Sequence, residues 1–398
     1  MADFGLGSDL FDILDSLDYT NLVSKTKSVI ELKTDYPYLI FERDDLVKVL
    51  NLCSKLIQSK STSDLYNSIT LVPVKNSKSL YFYVTNALSH FRYRTELLGD
   101  LTEILDEEIS ISISILQKIV RLMGDKVLIY KKDGYYFVRL IDGDLQIYIK
   151  PLASNLIFFP GEPVDKIGDL KLKDFGFIVN SILPLLDIKT NTNKICFFGD
   201  KVYFHSPYYY IESTIETPEI YLSYKDSEFI SRLYKYYPDS FIQLFSVDTA
   251  LQRLFIKLDN IEYEFINSKY NIPESILNTI SSNLKPVEFA VDFEKFYRII
   301  NLATSLPHTQ NIARLVYLGD NKLGLSILVD NIYSDFTVDI VETYVDKITN
   351  LDVKVRTDIL KRLLVSLDNI DKLKISISVL CITIEYDNIK AALMTYNV

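Results

Sequence analysis

The chain has 398 residues and a formal charge of −10, with 43 Lys and Arg against 53 Asp and Glu. Its 48% hydrophobic and 24% charged residues, with 28 Tyr and 22 Phe, fit two or three folded domains and exclude a disordered chain. The acidic balance also excludes a surface that is cationic throughout, so any contact with nucleic acid needs locally segregated bases.

Residues 1–35 read as an acidic N-terminal extension. Within it Ser8-Asp9-Leu10-Phe11-Asp12-Ile13-Leu14-Asp15-Ser16-Leu17 is amphipathic, suited either to a solvated arm or to docking in a groove of the protein's own assembly, in competition with partners. The start of the chain lacks the early bases and long apolar run of a secretion signal, and no segment approaches the roughly 18 apolar residues that span a bilayer. Cys53, Cys196 and Cys381 are far apart and show no C-x-x-C spacing, which points to a reducing, cytoplasmic setting.

From residue 38 onward one unit recurs six times: a short alternating strand, a polar or acidic residue able to cap a helix, and about three turns of amphipathic helix, followed by more alternating strands. Its starts are Tyr-Leu-Ile-Phe-Glu-Arg-Asp-Asp-Leu-Val-Lys-Val-Leu (38–50), Ile-Ser-Ile-Ser-Ile-Ser-Ile-Leu-Gln-Lys-Ile-Val (109–120) and Leu-Lys-Leu-Lys-Asp-Phe-Gly-Phe-Ile-Val (170–179). The later three are Ile-Tyr-Leu-Ser-Tyr-Lys-Asp-Ser-Glu-Phe-Ile-Ser-Arg-Leu (220–233), Val-Glu-Phe-Ala-Val-Asp-Phe-Glu-Lys-Phe-Tyr-Arg-Ile-Ile (287–300) and Val-Lys-Val-Arg-Thr-Asp-Ile-Leu-Lys-Arg-Leu-Leu (353–364).

With Asp44, Ser114, Asp174, Asp226, Asp292 and Asp358 taken as equivalent caps, the mean spacing is about 63 residues, room for one strand, one helix and three strands. One such unit leaves open strand edges and a half-covered face, so two units per domain are expected. That gives an α+β chain of three similar domains, 36–155, 156–284 and 285–398, with joints near Pro151 to Pro163 and Pro273 to Pro286.

The predicted helices turn their apolar side inward, as with Leu46, Val49, Leu50 and Cys53. Their bases face outward: Lys48 and Lys55, Lys118 and Arg121, Arg232 and Lys235, Lys295 and Arg298, Lys361 and Arg362. Acids gather in the first turns. Acids early and bases late complement the dipole of any helix; the same placement also builds a basic lining that meets phosphates without reading sequence. The third helix breaks the pattern, because Phe175 to Leu186 contains no base.

Recognisable chemistry is absent. No glycine falls in a phosphate-cradling motif and no G-x-S-x-G elbow occurs. His90, His205 and His308 stand alone and read as strand or loop residues. No catalytic residue, metal or cofactor is expected.

In this order the chain resembles the sliding clamps, and in its three-domain length the beta subunit of bacterial DNA polymerase III. The likeness runs from about residue 36 to 398. Phe41-Glu42-Arg43-Asp44-Asp45-Leu46 is similar to that family's opening strand-to-helix passage, Ile147-Tyr148-Ile149-Lys150-Pro151-Leu152 and Phe265-Ile266-Asn267-Ser268-Lys269-Tyr270-Asn271-Ile272-Pro273-Glu274 to its two domain exits, and Ala391-Ala392-Leu393-Met394-Thr395-Tyr396-Asn397-Val398 to its last strand and tail.

The resemblance implies a DNA-clamp fold and a ring: a head-to-tail homodimer of six domains whose helices surround duplex DNA and hold a DNA polymerase on its template, loaded by a clamp loader. It further implies a groove between the second and third domains for clamp-binding peptides, near Tyr208, Tyr209, Tyr210, Leu277, Ile280, Ala392, Met394 and Tyr396. At nearly all of these the chain departs from the family, with Thr395 for the usual Pro, and Tyr208 to Tyr210 also read as an ordinary aromatic strand. The divergence and the Ile, Asn, Lys and Tyr bias suggest a phage or virus. A clamp serving transcription or repair, or a structural assembly protein of repeated β-rich units without DNA, are the competing expectations.

Overall fold

The computed structural model describes residues 36–53, 56, 64–86, 88–98, 104–122, 124–139, 146–149, 163–186, 194–206, 209–247, 252–269, 287–306, 311–329, 332–345, 351–365, 367, 370–378, 381–386 and 389–395. The acidic extension, both expected joints apart from Pro163, and Lys55, Tyr208, Leu277, Ile280, His308 and Tyr396 lie outside them.

Three groups of elements follow one another. The first comprises β1 (Tyr38–Glu42), α1 (Arg43–Cys53), β2 (Ser68–Pro73), β3 (Ser79–Thr85), β4 (Ser89–Glu96), β5 (Ile109–Ser112), α2 (Ile113–Ile119), β6 (Lys126–Lys132), β7 (Tyr135–Arg139) and β8 (Gln146–Ile149). The second comprises β9 (Pro163–Lys171), α3 (Leu172–Ile182), β10 (Ile195–Ser206), β11 (Tyr209–Leu222), α4 (Tyr224–Tyr236), β12 (Phe241–Val247), β13 (Arg253–Leu258) and β14 (Ile261–Ile266). The third comprises β15 (Val287–Asp292), α5 (Phe293–Ser305), β16 (Ile312–Gly319), β17 (Lys322–Val329), β18 (Ile332–Thr343), β19 (Asp352–Arg356), α6 (Thr357–Val365), β20 (Lys372–Ile377), β21 (Cys381–Tyr386) and β22 (Ile389–Met394).

The strand–helix–three-strand unit is thus present in pairs. In the first and third groups all five elements of each unit are distinct. The second group differs: its two inner hairpin strands and the strand that opens the next helix fuse into one long ribbon, β10 against β11, bulged around Gly199. Here the alternation of Ile195 to Ser206 and Tyr209 to Leu222 runs on without a turn, so no separate strands form.

Alternation also explains the burial. Leu39 and Phe41, Val127 and Ile129, and Ile69 and Leu71 point into the layer between sheet and helices, and the inward faces of α1 and α2 (Leu46, Val49, Leu50, Leu116, Ile119) close over them. One contiguous apolar core runs through all three groups. A second small cluster, Tyr38, Ile40, Leu128 and Tyr130, covers the outer face of β1 and β6.

The expected caps are corrected in detail. Strands run almost directly into helices, so most helices begin a residue or two before the acid, which then sits in the first turn where the dipole favours it. This holds for Asp44, Asp174 and Asp358, and Ser114 sits likewise one residue inside α2. Only Asp292 caps by its own side chain, accepting from Lys295 N at 2.8 Å. On α4 the cap is Ser223, and Asp226 completes a capping box with it.

Candidate functional site

The three groups are joined by continuous β-sheet. β4 of the first pairs antiparallel with β14 of the second: Ser89 faces Phe265, His90 Glu264, Phe91 Tyr263, Arg92 Glu262 and Tyr93 Ile261. β11 of the second pairs antiparallel with β22 of the third, from Tyr209 opposite Leu393 to Ser213 opposite Ile389. Each joint sets a hairpin strand of one group against the last strand of the next.

Around the first joint the polar side chains form a buried network. The Asp226 carboxylate, 4% exposed, accepts from Ser89 Oγ across the joint at 2.9 Å, from Tyr263 Oη at 2.5 Å and from the Ser223 N–H at 3.1 Å. Burial, then the Asp226 charge, pushes the Tyr263 hydroxyl well above its usual range. Arg253 donates to the buried Glu264 at 3.1 Å, and Arg92 pairs with Glu262. His90 Nδ1 lies 2.9 Å from Thr85 Oγ1; burial, with the Arg253 charge second, lowers its pKa to about 4. It is a buried strand residue. His205 lies in β10.

On the helix side the first joint ties down two of the predicted lining bases. Lys48 lies 5.8 Å from the Tyr93 ring and 5.7 Å from the Tyr237 ring, and Arg232 donates to the Asn51 carbonyl at the end of α1, beside the Asn51 to Tyr236 bond of 2.8 Å. Lys118, Lys235, Lys295 and Arg362 are exposed, Lys361 is half-buried, and Arg121 sits in the 3-10 turn after α2. Exposed Arg298 pairs with Glu294 one turn earlier at 3.1 Å. Because α3 starts at Leu172, exposed Lys173 adds a base to the helix expected to have none.

Of the predicted groove residues, Tyr209 and Tyr210 are brought opposite Leu393 and Ala392, so β11 and the end of β22 do share one place in the fold; Ala392 is buried and Met394 ends the strand. Nearby, Asn267 bridges the Tyr221 N–H (2.7 Å) and the Glu219 carbonyl (3.1 Å), and Lys194 donates to the Ser268 carbonyl at 2.9 Å, fixing the chain where it leaves β14. These anchors, like Ser89, Glu264 and Tyr263, were not anticipated in those roles. Their one sequence signal was a charged residue inside an apolar run, Tyr263-Glu264-Phe265. Among the described residues no group of three or more His, Cys, Asp or Glu could hold a metal ion.

No protein-family model and no curated protein matches the chain. Solved structures do. The DNA polymerase III beta subunit of Borrelia burgdorferi superposes with a TM-score of 0.75 at 12% identity, over 91% of this chain and 99% of that one. That of Thermotoga maritima gives 0.75 at 10% over 91% and 99%, and the sliding clamp of Bacillus subtilis 0.73 at 12% over 91% and 100%. The fold is the DNA-clamp fold, over essentially the full length of those proteins.

Proposed function

We propose that the chain is a DNA sliding clamp: two copies close head to tail into a ring around duplex DNA and tether replication proteins to it. It acts in the cytoplasm, without catalysis. One observation carries the reading. Both intrachain joints use the same two parts, a hairpin strand (β4, β11) and the last strand of the following group (β14, β22). The third hairpin strand, β18, and the first group's last strand, β8, are what remains. β8 is the edge of its sheet, and β18 over its first residues pairs on one side with β17 alone. A second copy supplies each with its missing partner, and the pattern closes only as a ring.

The internal repeat supports one register for that contact. The innermost hairpin pairs Ser206 with Tyr209 and Val329 with Ile332 correspond, as do the Ser378–Cys381 and Lys132–Tyr135 turns. Ile149 then faces Ile332 of the other copy, Tyr148 faces Tyr333, Ile147 faces Ser334 and Gln146 faces Asp335. Lys118, Lys173, Lys235, Lys295, Arg298, Lys361 and Arg362 meet phosphates in the hole, with Lys48, Arg121 and Arg232 along the same helices. The β11–β22 joint carries the peptide groove used by the polymerase and the clamp loader.

The test is a disulfide. A chain carrying both Tyr148→Cys and Tyr333→Cys is expected to oxidise to a covalent dimer, because paired strand positions lie within disulfide reach. That dimer should stay on circular plasmid and slide off once the plasmid is cut. Single-cysteine chains should remain monomers in denaturing gels. Failure of the double variant to cross-link, or equal retention on cut and uncut DNA, overturns the reading.

A further inference from the structure

Each group opens with a strand that pairs with the strand following its second helix: β1 with β6, β9 with β12, β15 with β20. The other edge of that opening strand is covered in two of the three. In the first group the chain leaving β4 returns along β1, with the Leu98 N–H on the Ile40 carbonyl (2.8 Å), the Leu105 N–H on the Tyr38 carbonyl (3.0 Å) and Tyr38 bridged to Ile104. In the third, the end of β18 pairs with β15 from Phe289 opposite Thr343 to Val291 opposite Ile340, and Tyr344 donates to the Glu288 carbonyl at 3.0 Å.

Among the described residues the second group has no segment that does this. β11 continues unbroken from the hairpin to the start of α4, so the connection that does the covering elsewhere is missing. β9 is accordingly the terminal strand of its eight-stranded sheet, and nearly all of it is exposed. Val164 is 57% and Ile167 42% exposed, whereas the opening strand β1 buries four of its five residues and β15 three of its six. At Gly168, whose backbone is not in the left-handed region, an added Cβ would meet no atom within 4 Å. A glycine inside a strand commonly marks a place where another backbone comes close. Two bulges on the β12 side bend the strand, and from Gly168 to Lys171 the ladder is regular.

We infer that the open edge of β9 is a docking edge for an extended peptide segment of another protein, which adds as a strand, sets aliphatic side chains beside Val164 and Ile167 and carries a carboxylate toward Lys171. Main-chain pairing supplies the affinity and the flanking side chains the selectivity. The charge follows from the edge itself. Lys166 is neutralised by Asp169 at 2.8 Å, whereas exposed Lys171 and Lys173 have no ion-pair partner among the described residues. The residues that meet the equivalent edge in the first group, Leu98, Ile104 and Leu105, are aliphatic, and in the sequence between them stand Asp100 and Glu103. The inference does not depend on ring closure, since β9 lies in a different sheet from both β8 and β18.

The probe is a fluorescent synthetic peptide of sequence 97–105 added to the full chain. Saturable binding is expected, with amide exchange slowed within 163–171. A scrambled peptide of the same composition should not bind. The Val164→Asp, Ile167→Asp double variant, altered only at exposed positions and therefore expected to melt with the parent, should bind at least tenfold more weakly. Absence of binding, binding that survives the double substitution, or protection confined to other strands overturns the inference. Self-association of the chain that is lost in the double variant, with no peptide bound, would assign the edge to a second copy and overturns it as well.

Discussion

Ser89, in the first group, donates its hydroxyl to Asp226, in the second, at 2.9 Å, and the oxygen that receives it also receives Tyr263. A single buried carboxylate therefore completes the capping box of α4, binds Ser89 across the sheet joint and binds Tyr263 on its own side of it. Asp226→Ala would break the capping box of α4 and leave two hydroxyls buried without their acceptor, at a cost of about 2 to 4 kcal/mol. Ser89→Ala should cost about 1 kcal/mol, because it removes a donor and leaves Asp226 its other partners. Urea unfolding of the two variants checks the order; equal losses would mean that Asp226 contributes little beyond its bond to Ser89.

His90 gives the joint a pH dependence. Its folded value, about 4, lies below the ordinary 6.5, because burial and the Arg253 charge disfavour the imidazolium. The neutral ring is the form that folds. Its contribution is fully present above pH 6.5 and is lost progressively as the pH falls from there toward about 4, when the unfolded chain takes up a proton that the folded chain refuses. Glu264, Asp226 and Tyr263 stand across the same joint, so the comparison must be made against His90→Asn. Denaturant midpoints of the parent should fall more steeply over this window than those of the variant.

Much of the architecture was legible because alternation and 3.6-residue periodicity are local signals. Leu-Lys-Leu before Asp174 and Val-Lys-Val before Asp358 announce strand and helix without reference to the rest of the chain. The fused ribbon β10–β11 was not, because Gly199-Asp200 reads as a turn in the sequence, whereas in the fold Gly199, at φ +62, makes a bulge and the strand runs on. The joint networks were legible still less. Nothing near Ser89 signals Asp226, 137 positions away, and Lys48, on the polar side of its helix, reads as solvated until the fold brings Tyr93 and Tyr237 over it. Periodicity tells which side of a helix is polar; it does not tell whether water or a neighbouring group lies there.

Gly176 marks the closest approach of α3 and α4. A Cβ built there would lie 2.5 Å from the Cβ of Tyr234, part of a side chain's rigid base that cannot swing aside. Gly176→Ala must push the helices apart and should cost about 1 to 3 kcal/mol despite its better helix propensity. Pairing it with Tyr234→Ala should recover part of that loss, a non-additivity visible in a thermal double-mutant cycle. Simple additivity would show that the helices do not meet at these two residues.

The helix bases divide into two kinds, and salt separates them. Lys295, Lys361 and Arg362 take part in no described ion pair, and Arg298 holds an exposed one; such side chains can exchange water and counterions for phosphate. Each alanine substitution among them should weaken association with duplex DNA for all sequences alike and reduce the slope of log affinity against log salt by about 1. Lys48 is engaged with two tyrosine rings at the first joint, an interaction of about 0.5 to 1 kcal/mol at a partly exposed site. Lys48→Ala should therefore lower the unfolding midpoint while changing the salt slope by less than Arg362→Ala does. Equal slopes for the two variants would mean that Lys48 leaves the tyrosines to meet phosphate, and that the first joint loosens when DNA binds.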